Sequence, residues 1–213
     1  MDNLDYPQDW AIKYRPKSMD DVILPSHLES KFKAYAIQKG GQSLLLKGPP
    51  GCGKTTVAML INPEDTYFVN CNFQNKLDDI RFLDRVCSAY SMNGGKRLIL
   101  LDEADALKSE TIKALRAFTE IHGKVNDFVM TTNHPERMPE AISSRFLHID
   151  FNFSETEELR SKLMSFLVGI AVKEGFEIPP TPLLRSIIRR AFPDIRNMLK
   201  QLQFELLGKE VSK

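Results

Sequence analysis

The sequence lacks any close pair of cysteines. Its three, Cys52, Cys71 and Cys87, form neither a CxxC pair nor a metal-ligand cluster, which excludes a zinc knuckle and a disulfide framework and fits free thiols in a reducing cytosol. No apolar run approaches the roughly 20 residues that cross a bilayer, so no membrane partner is expected. The opening MDNLDYPQDW is acidic and polar, unlike a secretory signal, and the expected location is the cytoplasm. Charge of one sign is also missing. With 29 Lys+Arg against 28 Asp+Glu the net charge is +1, so any contact with nucleic acid must come from a local basic surface. Repeats and low-complexity stretches are absent.

What is present is alternation. SHLESKFKAYAIQKGG carries capping-box spacing, Ser26 to Glu29, and ends at Gly40-Gly41, which predicts a capped helix. Four short apolar runs follow at 43–47, 66–70, 97–101 and 127–132. Their consecutive apolar positions suit strands covered on both faces. Helical patterns at 54–61, 77–91 and 109–121 separate them, and strand–helix alternation predicts an α/β sheet with helices on both faces. In MPEAISSRFLHIDF (138–151) a short helix should hand over to a strand, with Arg145 at the junction. From Ser154 the pattern becomes all helical. A second capping-box spacing, Ser154 to Glu157, opens a stripe through Leu159, Leu163, Phe166 and Leu167; IPPTP breaks it, and helices resume at 182–192 and 194–207. The division predicted is 1–152 and 153–213.

LLLKGPPGCGKTTVAML places Gly48-Pro49-Pro50-Gly51-Cys52-Gly53-Lys54-Thr55 between a strand and a helix. This is the G-x-x-x-x-G-K-[ST] phosphate loop in the context that gives it meaning. Its glycines let backbone N–H groups turn toward phosphate oxygens at a helix N-terminus. Lys54 then reaches the β- and γ-phosphates, and the Thr55 hydroxyl is a Mg²⁺ ligand. RLILLDEADAL is an apolar strand delivering Asp102 beside Thr55 for the metal and Glu103 as a general base. An acidic turn capping the strand is the plainer alternative. The letters DEAD carry no weight as a helicase signature, because a helicase needs two ATPase lobes.

These residues together resemble an AAA+ ATPase, and more closely the clamp-loader branch. WAIKYRPKSMDDVI is similar to the W-x-x-K-Y-R-P…D-D-V-[IV] signature of replication factor C small subunits and their bacteriophage counterparts. The resemblance implies an AAA+ core with a parallel five-stranded sheet, followed by a small all-α lid. It implies an adenine pocket from Ala11, Ile12, Lys13, Tyr14, Arg15 and Ile23, with Thr56 following the phosphate loop. FVMTTNHPERMPEAISSRF is similar to the sensor-1 and S-R-C region, with Phe146 where the family has Cys. Asn133 would then meet the attacking water or γ-phosphate, and Arg145 would be an arginine finger acting on a neighbouring subunit. A solvated arginine favoured by a helix C-terminus is the alternative for Arg145. PDIRNML matches the sensor-2 helix, so Arg196 would reach from lid to γ-phosphate. Asn70 matches the polar residue that restrains the catalytic glutamate, and a turn former at the strand end is its plainer alternative.

The resemblance implies ATP and Mg²⁺ as ligands, and as partners other AAA+ subunits in a ring, a sliding clamp and primer–template DNA. The expected function is an ATP-hydrolysing clamp-loader motor subunit in DNA replication. A helicase loader, a branch-migration motor and a nucleotide-gated assembly protein with little turnover are the alternatives. Clamp-loader subunits carry a third, helical collar domain, and the resemblance, over about residues 8 to 208, does not include one.

Overall fold

The computed structural model describes residues 8–88 and 96–210. Five parallel strands form one sheet: β1 (Leu44–Lys47), β2 (Thr66–Asn70), β3 (Arg97–Asp102), β4 (Asn126–Thr132) and β5 (Leu147–Asp150), in the order β2-β3-β4-β1-β5. Around them run α1 (Trp10–Lys13), α2 (Ser26–Ile37), α3 (Lys54–Ile61), α4 (Leu77–Ser88), α5 (Ser109–His122) and α6 (Glu140–Ser143). Then come α7 (Glu157–Lys173), α8 (Thr181–Ala191) and α9 (Ile195–Glu210). The predicted elements agree with these to within a few residues; positions 89–91 of the helix expected over 77–91 lie outside the described residues.

Alternation along the strands builds two cores. On β3, Ile99 and Leu101 pack with Leu83, Leu115, Phe118 and Phe128 on one face. Leu98 and Leu100 pack with Leu28, Phe32, Val57, Ile61 and Phe151 on the other. A strand with helices on both faces has no solvent side, which is why Leu98–Leu101 are all apolar and buried. Helix α5 buries Thr111, Ile112, Leu115, Phe118, Thr119 and His122, the i, i+3, i+4, i+7 stripe of a one-sided helix. The third core joins α7, α8 and α9 through Leu163, Leu167, Ile170, Ile187, Ile188, Met198 and Leu202.

Three expectations are corrected. TYFVN, expected to be covered on both faces, is the edge strand β2, with Phe68 40% exposed. Ser26 does not cap α2 but is its first residue behind Pro25, and its hydroxyl donates to Glu158, while Glu29 receives Lys33 and Lys162. Ser154 likewise does not cap α7; Thr156 does, its hydroxyl oxygen accepting from the Leu159 N–H at 3.2 Å. Capping spacing alone does not say which of several hydroxyls stands at the turn when a tertiary carboxylate competes for one of them.

Trp10 lies far in sequence from the helices it joins. It is buried in the core of α7–α9, and its backbone N–H donates to Gln203 Oε1 at 3.1 Å. Val22 and Leu24, more than ten residues on, belong to the sheet's core. The segment between therefore straps the helical layers to the sheet.

Candidate nucleotide site

The carboxyl ends of β1, β4 and β3 are neighbours in the sheet, so three loops from distant parts of the chain open into one crevice, the position where α/β sheets bind ligands. The crevice is a cleft of about 650 Å³, lined by Pro50–Thr56 from the loop after β1, Asp102 and Glu103 from β3, Thr131 and Asn133 from β4, and Ile195, Arg196, Leu199 and Lys200 from α9.

Gly51 and Gly53 hold φ of 73° and 99°, a backbone region costly for other residues, and this bends the loop back so that α3 starts at Lys54. Lys54 is 6% exposed. Its Nζ donates to Gly48 O (2.8 Å), Pro49 O (2.7 Å) and Asn133 Oδ1 (2.8 Å). These acceptors and the Cys52 thiol, at 3.7 Å from Nζ, are neutral, and among the described residues no carboxylate pairs with this ammonium. Burial pushes its pKa down, against the opposing pull of Cys52, Asp102 and Asp105. A buried cation without a counter-ion, at the mouth of a glycine loop, is built to receive an anion.

Thr55 Oγ1 donates to Asp102 Oδ1 at 2.6 Å, and Thr131 Oγ1 donates to the same oxygen at 2.7 Å. Asp102 is 8% exposed and faces the cleft. A hydroxyl and a carboxylate held together are hard oxygen donors of the kind Mg²⁺ accepts alongside phosphate and water, so these residues fit that ion. Among the described residues no cluster of three His, Cys, Asp or Glu side chains forms a metal cage.

Glu103 stands in the left-handed region at φ 55° with its N–H on Thr131 Oγ1 at 3.0 Å. Its carboxylate accepts from Asn72 Nδ2. The contact to Glu103 expected of Asn70 is made by Asn72, two positions on; Asn70 Oδ1 instead accepts the Asn72 N–H at 3.0 Å and shapes the turn. The sequence reading singled out Asn70, and only the geometry of the turn after β2 brings Asn72 to Glu103.

Ala11, Ile12, Tyr14, Arg15 and Ile23 also line the cleft, with Met59 and Phe68. Lys13 does not: its Nζ lies 2.5 Å from Glu174 Oε1 of the α7 C-cap. Tyr14 donates to the same carboxylate oxygen, and burial followed by that contact pushes its pKa up to about 12. Gly48 and Pro49 also stay outside the lining, offering their carbonyls to Lys54. Cys52 is buried, its thiol on Pro49 O at 2.9 Å and its pKa raised by burial, as for an inert thiol. Arg196 is exposed at the rim on the first turn of α9.

The helical layer touches the phosphate loop directly. Ile195 N donates to Gly51 O at 3.2 Å, and a Cβ on Gly51 would stand 1.9 Å from Asp194 Oδ1. Gly51→Ala is therefore expected to lower Tm by several degrees: the left-handed backbone alone costs about 1–2 kcal/mol, worth about 2–4 °C each at this chain length. Thermal unfolding checks this, and an unchanged Tm would mean that the loop moves away from Asp194 without cost.

Arg145 is not in the cleft. It follows α6 and precedes β5, and its Nε donates to Glu120 Oε1 of α5 at 3.1 Å, with Nη2 on the same oxygen. The guanidinium in turn holds the Glu120 carboxyl below the usual range. Strand register places it. Leu147 pairs with Leu44, so Arg145 sits beyond the amino ends of the strands, while the phosphate loop leaves from their carboxyl ends. The four residues of β5 and the two before them, 145–150, separate the two levels, on the order of 20 Å for extended chain. An arginine side chain does not cover that distance.

A profile of the ATPase family associated with various cellular activities (AAA) matches residues 44–153. This chain belongs to the AAA family. An AAA domain binds nucleotide. The chain is similar to the replication factor C small subunit of Archaeoglobus fulgidus, 30% identical over 204 residues covering 91% of this chain and 62% of that one. It is also similar to the sliding-clamp-loader large subunit of Escherichia phage RB69, at 32% identity over 200 residues covering 89% of this chain and 62% of that one. The chain thus spans about three fifths of the length of these relatives. Among solved structures, the Thermotoga maritima RuvB Holliday junction branch migration motor superimposes with a TM-score of 0.72 at 20% identity, over 93% of this chain and 67% of that one. This likeness concerns the AAA fold, whose five-stranded parallel sheet and helical layers agree with the sequence reading.

Proposed function

We propose that the protein is an ATP-hydrolysing motor subunit of a sliding-clamp loader in DNA replication, with each ATP bound at an interface between AAA+ subunits. The similarity to clamp-loader subunits supports the process. The observation that carries the chemistry is the buried, carboxylate-free Lys54 beside the Thr55–Asp102 pair. In this reading the loop N–H groups and Lys54 hold the β- and γ-phosphates, and Thr55 with Asp102 holds Mg²⁺, which when bound neutralises charge developing on the phosphoryl oxygens. Glu103 accepts the proton of the attacking water, and Asn133 orients that water or the γ-phosphate. Ala11, Ile12, Tyr14, Arg15 and Ile23 enclose the base, whose apolar faces suit Ile12, Met59 and Phe68 at the rim. Residues 1–152 act as core and 153–213 as lid, with Trp10 strapping the two, and Arg196 answers to the γ-phosphate from the lid.

Arg145 serves the site of the adjoining subunit. Its distance from its own cleft supports this, as do the exposed apolar residues close to it in the chain and on its ion-pair partner's helix, Leu147 and Ile121. A ring of such subunits would grip the clamp and primer–template DNA in the cytoplasm, with DNA affinity falling as salt rises.

Lys54→Ala tests the site. Removing a buried charged partner costs about 2–5 kcal/mol, so titration with a fluorescent ATP analogue is expected to show affinity reduced by well over tenfold. Unchanged affinity would remove the phosphate-loop assignment. Turnover stimulated by primer–template DNA together with the clamp tests the replication role; an ATPase indifferent to both would contradict it.

A further inference from the structure

We infer that Asp105 is a positioning residue that sets Asn133 relative to Glu103. The inference rests on the reading of those two as groups acting on one phosphoryl centre. Strand β4 ends at Thr132, so the N–H groups beyond it have no strand to donate to. Asn133 N donates to Asp105 Oδ1 at 3.3 Å, and His134 N donates to Thr132 Oγ1 at 2.9 Å. Thr132 Oγ1 then donates to Asp105 Oδ1 at 2.8 Å. Both backbone N–H groups flanking the Asn133 side chain thus end, directly or through one hydroxyl, on a single carboxylate oxygen.

The other end of this clasp is fixed as well. Asp105 lies in the short 3-10 turn Ala104–Ala106 that follows Glu103, closed by Ala106 N on Glu103 O at 2.9 Å. A parallel rung runs from Glu103 N to Thr131 Oγ1. Two rungs, Glu103–Thr131 and Asp105–Thr132, therefore tie the turn after β3 to the end of β4. Thr132 also accepts Gly48 N through its carbonyl at 3.2 Å, so the start of the phosphate loop joins the same frame. Thr131 and Thr132 are buried, and Asp105 is not among the residues lining the cleft. Its carboxylate acts on Asn133, which in turn meets Lys54 Nζ at 2.8 Å.

The test compares Asp105→Ala, Asp105→Asn and Asn133→Ala, singly and with Asp105→Ala and Asn133→Ala combined, in the full chain under conditions where the parent turns over ATP. Misplacement by about 1 Å is worth about 10²-fold in rate, so Asp105→Ala is expected to lower kcat by about that factor with nucleotide Kd nearly unchanged. Asp105→Asn keeps an acceptor oxygen and is expected to recover most of the rate. In the Asn133→Ala background, Asp105→Ala should add less than about threefold, because the two act as one unit. The Asn133 side-chain amide resonance, assigned by its loss in Asn133→Ala, should shift in Asp105→Ala and return in Asp105→Asn.

An unmoved resonance, an unchanged kcat, or a full additional loss in the double variant would overturn the inference. Normal turnover by Asn133→Ala would instead refute the role given to Asn133, and the resonance alone would then decide whether Asp105 positions it. Should Asp105→Ala not fold, Thr132→Val removes the same hydroxyl rung within a near-identical shape, and the same set of outcomes applies to it.

Discussion

Glu103→Gln is expected to bind ATP as tightly as the parent and to hydrolyse it about 10²–10⁴-fold more slowly, the range a positioned general base contributes. The substitution keeps the side-chain length and an acceptor for Asn72 Nδ2 but removes the basic oxygen. The fold should be indifferent, because the rung holding this turn to β4 uses the Glu103 backbone N–H and not its side chain. Phosphate release measured beside equilibrium nucleotide binding separates the two effects. Normal hydrolysis would identify another base, and lost binding would mean that Glu103 contributes to the ground state.

Arg145→Ala is expected to cost about 10³–10⁵ in turnover, the contribution of an arginine finger, while sparing nucleotide affinity in its own cleft. The sharper form of this prediction mixes two inactive proteins. An Arg145→Ala subunit retains a complete cleft, with Lys54, Thr55, Asp102 and Glu103 intact. A Lys54→Ala subunit cannot hold nucleotide but still presents Arg145 at the amino end of its sheet. When the two share an interface, the first should borrow the second's arginine and activity should reappear. The Glu120 contact adds a condition: the guanidinium must exchange a carboxylate for the γ-phosphate, both of which suit its planar fork. A mixture as inactive as its components would remove the shared site.

The phosphate loop, the Asp102–Glu103 pair and most element boundaries were legible because each rests on local rules. A glycine-lined strand-to-helix turn, an apolar strand ending in carboxylates, and helical or strand periodicity all lie within a short window. What stayed hidden depends on contacts between distant segments. TYFVN is as apolar as an interior strand, and only the β2-β3-β4-β1-β5 order puts it at the edge. Ser26 and Ser154 have capping spacing, but Glu158 takes the first and Thr156 does the work of the second. Asn72 rather than Asn70 meets Glu103, because the chain turns once more after β2. Lys13 belongs to a segment that matches a nucleotide-binding signature residue by residue, yet Glu174, 161 positions later, turns its side chain away from the cleft. Asp105 sat in plain view as the last letter of DEAD, without meaning until Thr132 and Asn133 were beside it.

In the proposed function this chain builds only part of an ATP-cleaving centre, and an adjoining subunit supplies the rest. Turnover per mole of protein, followed through serial dilution over about two decades of concentration with ATP saturating, tests it most directly, because a shared site must dissociate by mass action. Turnover per mole that falls as the protein is diluted, and recovers on reconcentration, is the predicted result. A rate per mole that stays constant to the lowest concentration, from a chain that remains monomeric, would contradict it.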